Sequence, residues 1–175
     1  MVKSFKPIYS ILLSLFLFTG IFAQKLAYVN SQKIFAEYQE YIDVQNKLNE
    51  IQSQYQAQYD KMVKEYQDLA NEIESQSLLL SPEKKQEKMR AAQEKALAVE
   101  RFKYEKLGPQ GEYYKKQAEL GKPVMDKINA AIKKIGDAEG YDIVFDGAVG
   151  LLYAKPDLDI TQKVLDELNA GLTKK

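Results

Sequence analysis

The fold of this 175-residue chain is decided by a long polar stretch that begins at Tyr41. Residues 41–80 read YIDVQNKLNEIQSQYQAQYDKMVKEYQDLANEIESQSLLL. Large side chains recur along it in steps of three or four residues, the near-heptad spacing that keeps one seam of a helix against a partner helix. Two successive steps of four, at Ile51–Tyr55–Tyr59, form a stutter, which locally relaxes a supercoil. The pattern predicts a coiled-coil helix whose seam consists of Tyr41, Val44, Leu48, Ile51, Tyr55, Tyr59, Met62, Tyr66, Leu69, Ile73, Gln76 and Leu80.

A second helix is predicted to begin directly after this stretch. Ser81 supplies a capping side chain, and Pro82 is the residue favoured at the first helical position. Glu83 places an acid in the first turn. The two helices together predict an antiparallel coiled-coil hairpin over residues 41–135, with its tip near residues 78–84. The seam of the returning helix is expected to contain Met89, Ala92, Ala96, Val99 and Phe102.

Two interruptions are predicted in the returning helix. Gly108 and Pro109 form the first, and Gly121, Lys122 and Pro123 form the second. Proline lacks the backbone N–H that a helix interior requires, so each site is interpreted as a kink or a short break. The returning arm has several residues more than the outgoing arm, and this excess lies near the two interruptions.

The two ends of the chain predict one small head made of residues 24–40 and 136–175. A strand-like run at residues 25–30 precedes a helix that starts at Asn30 or Ser31 and is expected to continue to Leu80. Residues 141–146 and 151–154 form two further strand-like runs, separated by a turn at residues 147–150. Asp159 is expected to cap a final amphipathic helix that carries Ile160, Val164, Leu165 and Leu168. The fold class is therefore α+β and predominantly helical, with a long hairpin that projects from a small head.

The head is too small to bury a self-sufficient core without disulfides or a metal. The chain contains no cysteine and no histidine, which leaves association between several copies as the remaining way to cover the strands. We therefore expect an oligomer whose shared core is formed by Leu26, Tyr28, Val29, Ile143, Phe145 and Leu151.

The N-terminal residues 1–23 are typical of a secretory signal peptide. Lys3 and Lys6 precede an almost wholly apolar run at residues 8–22, and Ala23 supplies a small residue before Gln24. The alternative is a permanent membrane anchor, but the apolar run is shorter than the roughly 20 residues that span a bilayer. Cleavage after Ala23 is thus predicted, which leaves no stable membrane anchor, and the absence of cysteine excludes a lipoprotein.

The composition excludes several classes of function. The 25 basic residues balance the 25 acidic ones, so the chain lacks the positive surplus of a nucleic-acid binder. No phosphate-binding glycine loop is present, and neither imidazole nor thiol chemistry is possible without histidine and cysteine. We therefore expect no enzymatic activity, no cofactor and no metal. The aspartates of the head do not match a calcium-loop spacing and are better explained as caps and turns: Asp142, Asp146, Asp157 and Asp159.

Three stretches of the chain resemble a known family. They are residues 25–35 (KLAYVNSQKIF), residues 140–146 (GYDIVFD) and residues 159–165 (DITQKVL). All three are similar to the Skp/OmpH family of periplasmic chaperones. With the hairpin between them, the resemblance covers essentially the whole mature chain. It implies a homotrimer with a central barrel of strands and hairpins that hang from it like tentacles. It also implies an ATP-independent holdase that shields unfolded outer-membrane β-barrel proteins in the periplasm.

The near-neutral charge departs from the strongly basic members of that family. It does not favour lipopolysaccharide binding, and client binding is expected to depend on apolar and aromatic contacts instead. Candidate client contacts are Leu78, Leu79, Tyr104, Tyr113 and Tyr114. The alternatives are that the leucines at the tip simply close the hairpin and that exposed aromatic residues have no special role.

A second interpretation of the whole chain remains. A structural or adaptor coiled coil of the cell envelope shares every feature above except the need to enclose a client. An assay of client solubility distinguishes the two, because only a holdase prevents aggregation.

Overall fold

The computed structural model of the protein describes residues 24–172. The predicted signal peptide, its predicted cleavage after Ala23 and residues 173–175 lie outside this range. The described chain is mostly helical with one small sheet, which confirms the predicted α+β class and the helical hairpin. Its elements are β1 (Leu26–Val29), α1 (Ser31–Glu37), α2 (Gln39–Ser75), α3 (Pro82–Phe102), a π-helical turn (Lys103–Leu107), α4 (Glu112–Glu139), β2 (Ile143–Asp146), a 3₁₀ turn (Pro156–Leu158) and α5 (Thr161–Leu172).

Helix α2 forms the outgoing arm, and α3 and α4 form the return arm. The predicted outgoing seam is confirmed, because each of its residues is buried or half-buried. Leu48 is the most deeply buried of them, and Val99 and Phe102 are buried on the return arm. The prediction for Met89 is wrong, since this side chain is 56% exposed. Lys88 turns towards the seam instead, where its ammonium lies 2.8 Å from the Glu72 carboxylate.

The outgoing helix is shorter than the predicted span from Ser31 to Leu80. It breaks at Tyr38, whose backbone is extended (φ −80°, ψ 112°) and whose side chain is only 1% exposed. Burial and a hydrogen bond with Glu40 raise the pKa of Tyr38 to about 12. The helix then ends at Ser75, and residues 76–80 form a turn. Burying Tyr38 in the head therefore takes precedence over helix continuity.

The two predicted interruptions of the return arm have different outcomes. The helical turns end at Leu107, and Gly108 and Pro109 lie in the break. Helix α4, in contrast, runs without interruption through Gly121 and Pro123, so the predicted break there is wrong. Proline removes one backbone hydrogen bond, but the adjoining Val124 is 5% exposed in the head core, and this packing stabilises the helix.

The sheet consists of β1 and β2, which pair in parallel with Leu26 opposite Ile143 and Tyr28 opposite Phe145. The predicted third strand is wrong for a single chain, because residues 151–155 have no regular structure. Several of them line a groove beside the sheet face that carries Leu26 and Phe145. The other edge of β1 is occupied, since the Tyr28 carbonyl accepts the Ile160 N–H at 2.9 Å.

The core of the head lies between the sheet and three helices. Its members include Val124, Ile128 and Ala131 of α4, which the sequence analysis assigns to the arm. Val29 is 4% exposed in this core, so it does not contribute to an interface between heads as expected. A single chain thus forms one closed core, because residues of α4 complete it. The head residues predicted from sequence could not form this core alone. The cluster contains Ala27, Val29, Ile34, Tyr38, Val124, Ile128, Ala131, Ile160, Val164, Leu165 and Leu168.

Side-chain caps join the strands to the helices as the sequence predicts. Asn30 caps α1 by accepting the Lys33 N–H, and Ser81 caps α3 by accepting the Lys84 N–H. Asp159 accepts the Thr161 N–H at 2.8 Å and so caps α5. The buried Thr161 hydroxyl in turn accepts the Asn30 N–H at 2.8 Å, which fixes the end of β1 against α5.

Candidate functional site

One face of the sheet is left uncovered by the chain. Alternation along β1 turns Ala27 and Val29 into the core and leaves Leu26 and Tyr28 on the opposite face. The open sheet face, as we call it, comprises five residues of the predicted oligomerisation core, with Val29 excluded. Four of them are between about one third and one half exposed, and Tyr28 is half-buried: Leu26 36%, Ile143 41%, Phe145 49% and Leu151 38%.

The open sheet face is apolar and forms part of a groove. Leu26, Tyr28, Phe145 and Leu151 line a groove of about 440 Å³, which continues along Tyr153 and Leu158. Burial and the neighbouring Asp159 carboxylate raise the pKa of Tyr28. A contiguous apolar surface of this kind marks an interaction site.

The tip of the hairpin exposes two adjacent leucines. Leu78 is 97% exposed and Leu79 is 86% exposed, whereas Leu80 is half-buried in the seam. The interpretation that Leu78 and Leu79 close the end of the hairpin is therefore wrong. Both side chains are presented to solvent and are available to an apolar partner.

The return arm carries its extra residues in an elbow, which we define as residues 103–111. Two contacts between the arms bracket it: Lys95 lies 2.7 Å from Glu65, and the Tyr55 hydroxyl lies 3.0 Å from Glu112. The outgoing arm advances 10 residues between these contacts and the return arm 17, a difference of seven. Seven residues are one heptad, so the seam regains its phase beyond the elbow. The excess lies at the first predicted interruption.

Two glycines are required in the elbow because it leaves no room for a side chain. A Cβ on Gly108 would lie 2.4 Å from the Tyr104 carbonyl oxygen. A Cβ on Gly111, which is buried, would lie 2.9 Å from the carbonyl oxygens of Glu105 and Gly108. Even alanine at either position would force the backbone to move.

A polar network, which we call the latch, joins the elbow to the outgoing arm. Tyr55 donates its hydroxyl to Glu112, and the ammonium of Lys106 contacts the other oxygen of the same carboxylate. Hydrogen bonds from Lys106 and then Tyr55 lower the pKa of Glu112, the first residue of α4. The positive end of the helix dipole also favours a carboxylate there. The Tyr55 ring packs edge-on against Phe102, with ring centres 6.3 Å apart.

The predicted aromatic contacts lie on two sides of the elbow. Tyr104 is 69% exposed and shares a groove with Tyr59 of the outgoing arm. Tyr113 and Tyr114, at the start of α4, pack edge-on against each other with ring centres 5.5 Å apart. Tyr114 is 48% exposed, and neither residue lines the groove of Tyr104. Sequence reasoning found these tyrosines but missed the groove and the latch; the residue excess between Phe102 and Glu112 was the available signal.

The arm surface carries charges of both signs that largely pair along or across the helices. Pairs across the hairpin include Lys88 with Glu72 and Lys127 with Glu40. Within residues 24–172, no three acidic side chains converge as a metal site would require. None of the helices that the structure describes is long and apolar enough to traverse a bilayer.

The fold and its exposed surfaces define a class of protein in which a long two-helix arm extends from a small α/β head with one uncovered apolar face. The family model "Outer membrane protein (OmpH-like)" matches residues 25–168, and the chain belongs to that family.

A solved structure shares this fold. It is described as a candidate OmpH-like outer membrane chaperone from Caulobacter crescentus. The two are 17% identical in sequence, with a TM-score of 0.72 over 85% of this chain and 86% of the other. Among curated proteins, none matches this chain.

Proposed function

We propose that this protein is an ATP-independent holdase chaperone that keeps unfolded outer-membrane β-barrel proteins from aggregating in the periplasm. The observation that carries the proposal is the placement of exposed apolar side chains at several separate points of a solvated arm. Leu78 and Leu79 supply them at the tip, Tyr104 in the elbow, and Tyr114 just beyond it at the start of α4. The family and the solved structure described as a candidate chaperone support the same function.

The proposed active form is a homotrimer assembled through the open sheet face. Association removes Leu26, Ile143 and Phe145 from water; because 36–49% of each is still exposed, burying the remainder contributes roughly 0.5–1.5 kcal/mol per side chain. Three heads would direct three arms to one side and enclose a space between them. The number three rests on the family resemblance, whereas the need for a partner rests on the exposed face.

The proposed binding mechanism is distributed along the arms. Each exposed leucine or tyrosine makes a weak contact, and several such contacts on one tethered chain bind tightly in sum while each stays replaceable. Because the arm charges are largely paired, apolar contact rather than net charge holds the client. The break at Gly108 and Pro109 gives each arm a point at which it adjusts to clients of different size. Such binding requires neither nucleotide hydrolysis nor a metal.

Export is part of the proposal and rests on residues 1–23 of the sequence. The mature chain is proposed to begin at Gln24 after removal of the signal peptide. Mass spectrometry of the exported protein tests this, and retention of residues 1–23 would contradict the periplasmic assignment.

The function is tested by diluting a urea-denatured outer-membrane β-barrel protein into buffer with the mature protein and measuring light scattering. We expect near-stoichiometric amounts to suppress aggregation. A variant with Leu78→Ser, Leu79→Ser, Tyr104→Ser and Tyr114→Ser should remain an oligomer and protect the client less well. If the folded wild-type oligomer fails to suppress aggregation, the protein is an adaptor of the envelope and the proposed function is wrong.

A further inference from the structure

The elbow contains a groove, although two helical arms can pack against each other without one. It has a volume of about 470 Å³, within the roughly 300–1,000 Å³ of ligand-binding pockets. Tyr59 of the outgoing arm and Tyr104 of the π-helical turn line it together with Leu107 and Pro109. It is also lined by Glu100, Lys103 and Gln56, whose amide nitrogen donates to Asp60 at 2.8 Å and whose amide oxygen remains an acceptor; we call these three residues its rim.

The groove results from the seven extra residues of the elbow. A return arm without them would keep the same seam phase, since one heptad is removed, and α3 would continue directly into α4. The elbow instead widens the helix into a π-helical turn, a feature that is frequent at functional sites. Gly108 and Gly111 permit this geometry, and the latch of Tyr55, Lys106 and Glu112 fixes it to the outgoing arm. The groove is thus a built feature with several supporting contacts.

The charges at the rim indicate what the groove accepts. Across residues 24–172, neither Glu100 nor Lys103 forms an ion pair, whereas Lys106 pairs with Glu112 and Lys95 with Glu65. One carboxylate and one ammonium present an acceptor and a donor to the same opening, without net charge. This pair complements the N–H and C=O groups of a peptide backbone and not a polyanion. The two tyrosine rings beneath offer an aromatic partner a stacked or edge-on contact.

We propose that the elbow groove binds one aromatic side chain of an extended, unfolded polypeptide, with the flanking backbone held by Glu100, Lys103 and Gln56. This inference rests on the proposed chaperone function and adds a discrete preference to it. Client segments that carry aromatic residues dock at the elbow, while the tip leucines bind aliphatic segments without such selection.

The test uses the absence of tryptophan from this protein. A neutral ten-residue peptide of serine and threonine with one central tryptophan is titrated with the intact oligomer, and the fluorescence anisotropy of that tryptophan reports binding alone. We expect Tyr104→Ala to weaken binding by about three- to tenfold, the effect of losing one aromatic pair. Tyr104→Phe should bind as the wild type does. Leu97→Ala is the matched control, a 60% exposed apolar residue of the return arm outside the groove, and should leave the affinity unchanged.

Competition by the same peptide with leucine in place of tryptophan tests selectivity, and we expect it to compete at least threefold less well. The proposal is overturned if both alanine variants lose affinity equally, if neither does, or if the leucine peptide competes as well. Circular dichroism of each variant confirms that the arms remain helical. The aggregation assay, run in parallel, separates the two hypotheses. If the wild type protects the client but shows no Tyr104-dependent binding of the peptide, only the groove proposal is refuted. If the wild type does not protect the client, the chaperone function itself is refuted.

Discussion

Tyr55 and Glu112 are joined by a hydrogen bond of 3.0 Å between the arms, at the point where the return arm has accommodated seven more residues than the outgoing arm. The same carboxylate holds Lys106, whose ammonium lies 5.6 Å from the centre of the Tyr55 ring. Two segments that are distant in sequence thus share one set of contacts. The position of the elbow on the outgoing arm depends on this set.

Tyr55→Phe should loosen the elbow without unfolding the arm. The substitution removes the hydroxyl but keeps the ring that packs on Phe102. Hydrogen-exchange protection of residues 103–112 should fall by roughly two- to threefold, the loss expected for a solvent-exposed hydrogen bond. Tyr59→Phe is the matched control, because the Tyr59 hydroxyl makes no hydrogen bond within the described chain. Equal changes in both variants would show that the latch does not hold the elbow.

The latch should weaken in acid. Hydrogen bonds from Lys106 and Tyr55 place the folded-state pKa of Glu112 below its ordinary value of 4.5. A depressed folded pKa contributes stability that is fully present above the unfolded pKa and is lost as the pH falls through the folded pKa. The stability difference between the wild type and Glu112→Gln should therefore be constant near pH 7 and shrink below about pH 4.5. Denaturant unfolding of both proteins from pH 7 to pH 3 measures it, and a pH-independent difference would contradict the assignment.

Substitutions in β1 and β2 should separate folding from assembly. Phe145→Asp is expected to give folded monomers, because Phe145 is 49% exposed in a single chain. Val29→Asp should unfold the head, because Val29 is 4% exposed and an unpaired buried charge costs several kcal/mol. Leu97→Asp, at a 60% exposed position on the arm, should change neither property. Light scattering and circular dichroism distinguish these outcomes, and a wild-type protein that is a well-folded monomer would refute assembly through this face.

The arms should tolerate the removal of a matched heptad. Glu65 pairs with Lys95 and Glu72 with Lys88, so deleting residues 66–72 together with residues 88–94 removes facing segments and preserves the seam. Each arm becomes about 10 Å shorter. The oligomer should persist, while the largest client that remains soluble becomes smaller. Deleting residues 66–72 alone is the control, which should disturb the hairpin register; a paired deletion that leaves protection of large clients intact would argue against an enclosed client.

Client protection should be insensitive to ATP and to chelators. The sequence has no phosphate-binding loop, and the proposed contacts are apolar and aromatic. Light scattering of the aggregating client in the presence of ATP with magnesium, or of EDTA, should match the curve without additive. A change in protection with either additive would require a ligand site that the proposed mechanism does not contain.

Exposure of the candidate contacts was only partly predictable. The sequence placed Tyr104 beside an interruption of the return helix, and its high exposure agrees with that position. The groove beneath it could not be predicted, because it depends on the register between Tyr59 and Tyr104, which lie on different arms. Local patterns do not contain this register; the packing of the seam and the contacts of the latch determine it.

Several elements could be predicted from local signals in the sequence. Heptad spacing identified the seam, and Ser81 and Pro82 located the start of the return helix. These signals need only neighbouring residues, since periodicity and capping act within one or two turns.

Which surfaces are buried depends on tertiary packing and could not be predicted locally. Alternation put Leu26 and Val29 on opposite faces of β1, but the packing of α1, α4 and α5 made the face of Val29 the covered one. The same packing buried Val124 and Ile128, which held α4 helical through Pro123 where the sequence favoured a break. Burial depends on contacts between segments a hundred residues apart, and a local pattern carries no information about which of its two faces such a partner will cover.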